Sequence, residues 1–362
     1  MEKYEKICEY CSAMLIYNDC ETIKTLMQKV KDPVFSMEVL PFYALFCRAF
    51  QEYCGVDFMK GNISSEIYDI RNSIKVYSKR YGQVKKEFLN VDENQNNHFR
   101  QNLRFDFSKE LNIHYNLGIY FDEGGNIVGN TQLIAEMLSV ENVFDKSVGI
   151  RMFELSNAMS SIIMTISQKL NASISPLKIE IKDEVIKWRY MDINTNTELF
   201  FFKNEYEKDV NLYMLHIISN IGFVKYILSR KLTKSNLWFF RVQYIITYYS
   251  YMGMKKLCNH LEETRGDSVF VLEMKNIINE GKDLFLSKFR NCMMHYGVEN
   301  KSDMIIKEEY FDREKPLFGI IESCFQGMDF CRYQNKLLKI MDDIEHTLLQ
   351  NFGIDEKQLK KF

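Results

Sequence analysis

Apolar residues recur every three to four positions along most of this chain and alternate with polar ones over two shorter stretches. That pattern predicts long helices around a small sheet. Ile7, Cys11, Met14 and Leu15 begin the first helical stripe, and Ile23, Leu26, Met27 and Val30 continue it after a break expected near Asn18-Asp19. Asp32-Pro33 then punctuates the chain. A second apolar helix is predicted over residues 37–53, ending near Gly55. Asn62-Ile63-Ser64-Ser65-Glu66 reads as the start of another, through Ile67, Ile70, Ile74 and Tyr77. The polar run VDENQNNHFR, residues 91–100, reads as a loop and as the first domain boundary.

From about residue 101 the texture changes. LRFDF alternates, and so does NIHYNLGIYF, which the hairpin turn DEGGN follows at residues 122–126. Residues 130–138 and 143–170 return to helical spacing. Ile179, Ile181, Ile186, Trp188 and Tyr190 alternate again, and Asn194-Thr195-Asn196-Thr197 turns the chain into Leu199-Phe201. About three antiparallel strands are expected here. Beyond residue 205 the stripes are helical throughout: Val210 to Leu228, then Leu237 to Tyr249 capped near Ser235-Asn236. A third runs from Val271 to Phe289, and two more reach Phe352. The fold class predicted is mainly α. A C-terminal up-down helical bundle (205–362) follows a helical region (1–95) and an α+β region with a small antiparallel sheet (96–204).

Composition sharpens this. Four prolines and sixteen glycines in 362 residues exclude collagen-like, linker-like and turn-dense β folds. A net charge of −2 excludes a basic nucleic-acid coat, though not a local basic cleft. The N-terminus has no signal-peptide core, and the apolar segment at residues 213–228 carries His216, Asn220 and Lys225, too polar and short to span a bilayer. Nine cysteines without a secretory signal read as free thiols. The expectation is a soluble cytoplasmic protein with no membrane association and no cofactor.

One constellation carries chemistry. Residues 288–297 read KFRNCMMHYG, with Arg290, Asn291 and His295 as an R-N-x-x-x-H string. Arginine offers a permanent planar charge matched to phosphate, and histidine titrates near neutrality. An amide beside the arginine can fix its direction. On a helical bundle, this string resembles the HEPN superfamily, whose ribonuclease members carry R-x(4–6)-H, commonly with Asn, Asp or His after the arginine. The resemblance covers about residues 205–355. It implies a metal-independent endoribonuclease, plausible in a defence, abortive-infection or toxin role. Arg290 would stabilise the transition state and His295 would transfer a proton as the RNA 2′-OH attacks. HEPN nucleases generally build one cleft from two motifs. Two Arg-Asn dipeptides occur, at Arg71 and Arg290, and only the second is followed by a suitably spaced histidine. A homodimer is therefore expected, with RNA as substrate and a regulatory protein as a further candidate partner.

Geometry adds two expectations. Residues five apart on an unbroken helix diverge by about 140°. Gly297 is the expected helix stop after His295. One departure is that toxin-type HEPN proteins often read R-x4-H-x-Y, whereas here Tyr296 directly follows the histidine. Two other readings stay open: a HEPN-like dimer that holds RNA or a protein without cutting, and a sensor whose bundle only dimerises.

Weaker signals are read structurally. Cys8-x-x-Cys11, Cys20, Cys47 and Cys54 read as core cysteines rather than a zinc site, and Cys292 as a buried thiol. His98, His114, His216 and His260 read as ordinary histidines, one of the last two being able to support the cleft. The basic stretch at residues 75–86, with two tyrosines, is either an RNA-holding surface or a solvated helix face. The acidic string Glu308-Glu309-Tyr310-Phe311-Asp312 covers the groove or sits in solvent. No nucleotide-binding glycine loop, H-E-x-x-H or G-x-S-x-G is present.

Overall fold

Residues 2–29 begin the computed structural model, which describes residues 2–55, 61–102, 115–171, 179–196, 205–300 and 303–352. Glu2–Lys29 is one uninterrupted helix, α1, so the break expected near Asn18-Asp19 does not occur. Asp19 is wholly buried and its carboxylate is engaged by Arg241 and the Tyr296 hydroxyl. A side chain held by tertiary partners no longer competes for its own backbone. Asp32 caps α2 (Pro33–Cys54) by accepting from Phe35 N–H at 2.8 Å, and Gly55, at φ 63°, ends it. Next comes α3 (Asn62–Ser73), then a 3-10 turn at Val76–Ser78.

The run read as a loop at residues 91–100 is instead the second half of α4 (Tyr81–Gln101). Asp92 and Gln95 of this stretch point inward to a buried network. Asp92 accepts from Asn116, Gln132 and Thr195 at 2.7–2.9 Å and from Lys208 at 2.7 Å. Satisfied buried polar groups hold this segment helical where no apolar stripe marks it. The boundary placed near residue 95 thus falls within a helix.

The small sheet has strand order β2-β1-β3, all antiparallel, from β1 (Leu117–Phe121), β2 (Ile127–Asn130) and β3 (Arg189–Ile193). Asp122 closes the expected hairpin by accepting from Asn126 N–H at 2.9 Å. The alternation at residues 179–188 pairs into no strand, and residues 103–107 and 199–201 lie outside the described residues. Helices α5 (Thr131–Met137) and α6 (Lys146–Asn171) follow the hairpin.

Next is α7 (Lys208–Gly222), continued by a π-helical stretch at Phe223–Leu228 and a last turn at Ser229–Lys231. Asn236 caps α8 (Leu237–Arg265), as expected, accepting from Phe239 N–H at 2.9 Å. The third bundle stripe is not one helix. It divides into α9 (Val269–Gly281), a 3-10 turn and α10 (Ser287–His295). Phe285 leaves helical geometry (φ −116°, ψ 69°), its ring lodged among Tyr244, Tyr248 and Tyr251. After a short β4–β5 pair (Glu299–Asn300, Asp303–Met304) come α11 (Ile320–Cys324) and α12 (Phe330–Phe352). Leu317 and Phe318 are left-handed, so α11 starts later than the stripe predicts.

Buried residues from α1 through α12 form one continuous hydrophobic cluster. Pro33–Cys54 and Lys208–Lys231 are long and apolar enough to cross a membrane, yet 67% and 78% of their apolar windows are buried here, which makes both of them core helices. At the end of α7, Gly222 packs directly on the backbone of β2. A Cβ there would lie 1.8 Å from the Ile127 carbonyl oxygen. Gly222→Ala is expected to destabilise the protein by about 1–3 kcal/mol, read as a lower urea midpoint.

Candidate active site

Helix α10 is fixed by its apolar face. Phe289, Cys292, Met293 and Met294 are buried, and the Phe289 ring meets Phe240, Tyr244, Phe325 and Tyr333 at centroid distances of 4.9–6.5 Å. The remaining positions carry the motif: Arg290 and His295 are half-buried and Asn291 is exposed. Asn291 and His295 share a face one turn apart, while Arg290 leaves at a different azimuth.

Behind α10 lies a buried ion pair. Arg241 Nε is 2.5 Å from Asp19 Oδ2, and Tyr296 Oη donates to the same oxygen at 2.7 Å. Arg241 Nη1 donates to the carbonyls of Cys292 and Met293 at 3.2 and 2.7 Å, so this guanidinium caps the C-terminus of α10. It also stacks 4.1 Å from the Tyr296 ring centroid. Burial pushes the Asp19 carboxyl up, and Arg241 and Tyr296 oppose that. The helix stop is Tyr296 itself, at φ 61°, rather than Gly297. A left-handed tyrosine is unfavourable by about 1–2 kcal/mol. Here it delivers the phenol to Asp19.

In front of α10, His295 Nδ1 lies 2.8 Å from Glu52 Oε2. Glu52, in the last turn of α2, also receives Arg48 Nε at 3.1 Å and lies 3.6 Å from Arg71 Nη2. Burial pulls the imidazole below the usual histidine range, and the hydrogen bond to Glu52 opposes this. For Glu52, burial is outweighed by His295 and Arg71, which hold the carboxyl below its usual range. Lys75, two residues beyond α3, is drawn down to about 8 by burial and by Arg71, with Arg290 adding to the effect. Arg290 faces the Tyr248 ring at 6.0 Å and is in charge contact with the Tyr249 hydroxyl. Arg71 and Lys75 act on His295, and Lys75 is in turn acted on by Arg290. A cavity of about 370 Å³ opens beside His295 and Glu52, bounded also by Glu9, Ser12 and Tyr53. That volume is within the range of small-ligand sites.

No family model, curated protein or solved structure matches this chain. The site is therefore read from its own geometry. Sequence reasoning found Arg290, Asn291 and His295 but missed Glu52, Arg71, Lys75, Asp19 and Arg241. Two of these left a trace: Arg71 opens the second Arg-Asn dipeptide, and Lys75 begins the basic stretch at residues 75–86. The tyrosines of that stretch do not offer stacking faces. Tyr77 is buried, and Tyr81 lies against His260 and Tyr213, with ring centroids 4.1 and 5.1 Å away. Neither bundle histidine serves the cleft. His216 is wholly buried against Phe88 and burial holds its imidazole at about 3, while His260 stacks on Tyr81. Cys8, Cys11, Cys20, Cys47 and Cys292 are buried as expected, whereas Cys54, at the solvent-facing end of α2, is exposed. Glu308, Glu309 and Asp312 are exposed, and Phe311 anchors their segment on Tyr10 of α1.

Proposed function

We propose that this protein is a metal-independent endoribonuclease of HEPN type. The observation that carries the reading is the motif imidazole, half-exposed beside a cavity and paired with Glu52, whose carboxylate also meets Arg48 and lies 3.6 Å from Arg71. An imidazole that moves protons beside several cations suits a reaction that gathers negative charge on phosphorus. The RNA 2′-oxygen attacks the adjacent phosphorus and loses its proton to a base. The bond to the 5′-oxygen breaks, and that oxygen takes up a proton. His295 serves as proton carrier and Arg290 stabilises the transition-state charge. The products are a 2′,3′-cyclic phosphate and a 5′-hydroxyl. DNA lacks the nucleophile and is spared. Part of the proposal is a cytoplasmic homodimer that pairs two Arg290-Asn291-His295 sets around one groove, in a defence or toxin role.

The deciding experiment incubates purified protein with total RNA in excess EDTA, with light scattering on the same sample. Cleavage that survives chelation supports the enzyme. Binding without cleavage supports the module that only holds RNA. A scattering mass of one chain removes the dimer.

Glu52 has its own test. Glu52→Gln keeps a polar partner for Nδ1 but removes the charge that opposes burial, so the His295 pKa is expected to fall further. With six histidines in the chain, the titration can be followed by NMR in the resting protein. An unmoved His295 titration would remove Glu52 from the imidazole's chemistry.

A further inference from the structure

We infer that the cavity beside His295 is a pocket for the base of one nucleotide, and that the base it holds best is guanine. The pocket stands on its lining residues, while its service to RNA cleavage rests on the nuclease reading.

Three elements wall this cavity of about 370 Å³. Helix α1 supplies Cys8, Glu9 and Ser12, the last turn of α2 supplies Glu52 and Tyr53, and the end of α10 supplies His295. Cys8 and Ser12 lie one helical turn apart, and both are buried, so they form the inner wall. Glu9 is exposed and Tyr53 is 39% exposed, which places them at the rim.

The lining does not suit a phosphate. Its carboxylates are Glu9 and Glu52, and apart from the imidazole no side chain there can carry positive charge. An anion inside would meet like charge. A carboxylate only accepts hydrogen bonds, so the fitting ligand is one that donates N–H groups. The Glu52 oxygens already meet Arg48 and His295 at 3.1 and 2.8 Å. Glu9 has no hydrogen-bond or ion-pair partner among the described residues, so it is the acceptor left open.

Tyr53 adds an aromatic ring at the rim, on which a planar heterocycle can stack. A flexible amine would use the carboxylate and leave that ring bare. The volume admits a single purine. Guanine presents N1–H and its exocyclic amine side by side, two parallel donors for one carboxylate. Adenine and cytosine set a ring acceptor beside their amino group, and uracil flanks its one N–H with carbonyls. The ribose and phosphate then remain outside, where the half-exposed imidazole meets them. Cleavage should accordingly fall next to guanosine.

The test titrates the full chain at pH 7 with guanosine, inosine, adenosine, cytidine and uridine, followed by the NMR signals of His295. Saturable guanosine binding that moves those signals is expected. It should be about tenfold tighter than binding of inosine, which lacks only the exocyclic amine. Glu9→Gln keeps a single acceptor and should remove most of that preference. Tyr53→Ala should weaken every nucleoside by about tenfold. Both side chains are exposed, so neither variant threatens the fold. Equal binding of all five nucleosides, no saturable binding, or an unchanged guanosine preference in Glu9→Gln overturns the pocket. Spermidine binding tighter than guanosine, with the same movement of His295, overturns it in favour of an amine site. Guanosine binding with uncut RNA keeps the pocket and removes the nuclease. RNA cut in EDTA with no guanosine preference, by a protein that does not bind guanosine, does the opposite.

Discussion

Alanine at position 295 is expected to lower RNA cleavage in EDTA by about 10²–10⁴-fold, the range for losing a positioned proton carrier. The imidazole is half-buried and its hydrogen bond is to Glu52, so its removal should leave the fold intact. Circular dichroism and the thermal midpoint should stay near wild type while the rate collapses. Arg290→Ala is expected to cost about 10²–10³-fold, as when one transition-state donor is lost. Arg290→Lys should recover only part of this, because an ammonium keeps the charge but not the planar fork. Residual product in each case should still end in a 2′,3′-cyclic phosphate, checked by resistance to end-labelling at the 3′ terminus. A His295→Ala protein that cuts RNA at the wild-type rate would end the nuclease reading outright.

The second large effect is on stability. Arg241 is 3% exposed and Asp19 fully buried. Arg241→Met strands a buried carboxylate with, among the described residues, only the Tyr296 hydroxyl as donor, and uncaps the Cys292 and Met293 carbonyls at the end of α10. Breaking such a pair from one side is unfavourable by about 3–5 kcal/mol. The thermal midpoint should fall by roughly 4–7 °C for a chain of this length. Asp19→Leu combined with Arg241→Met should regain much of the loss, since an apolar replacement leaves no unpaired charge. Tyr296→Phe should be milder, about 1–3 kcal/mol. Since Tyr296 and Arg241 together set where α10 ends, the folded fraction of these variants should also lose activity. Single-variant stabilities equal to wild type would show that the pair does not anchor the motif helix.

The legible parts of this chain are those whose causes are local. Asp32-Pro33 caps α2 and Asn236 caps α8 with partners three residues away, and Asp122 closes the hairpin with Asn126. Each is visible in a short window. The second half of α4 is not, because its support comes from Asn116, Gln132, Thr195 and Lys208, distant in sequence. The division between α9 and α10 is likewise set by three tyrosines of α8 around Phe285.

The candidate site follows the same rule. Residue types and spacing on one short helix were enough to single out Arg290, Asn291 and His295, since guanidinium and imidazole chemistry belongs to the side chains themselves. The carboxylate that orients His295 stands 243 residues away, and the buried guanidinium beside it belongs to α3. Side-chain chemistry and hydrogen bonds a few residues long are properties of the sequence alone. Which distant charges share one low-dielectric pocket is decided only when α2, α3 and α10 pack, because that packing obeys shape and burial rather than spacing.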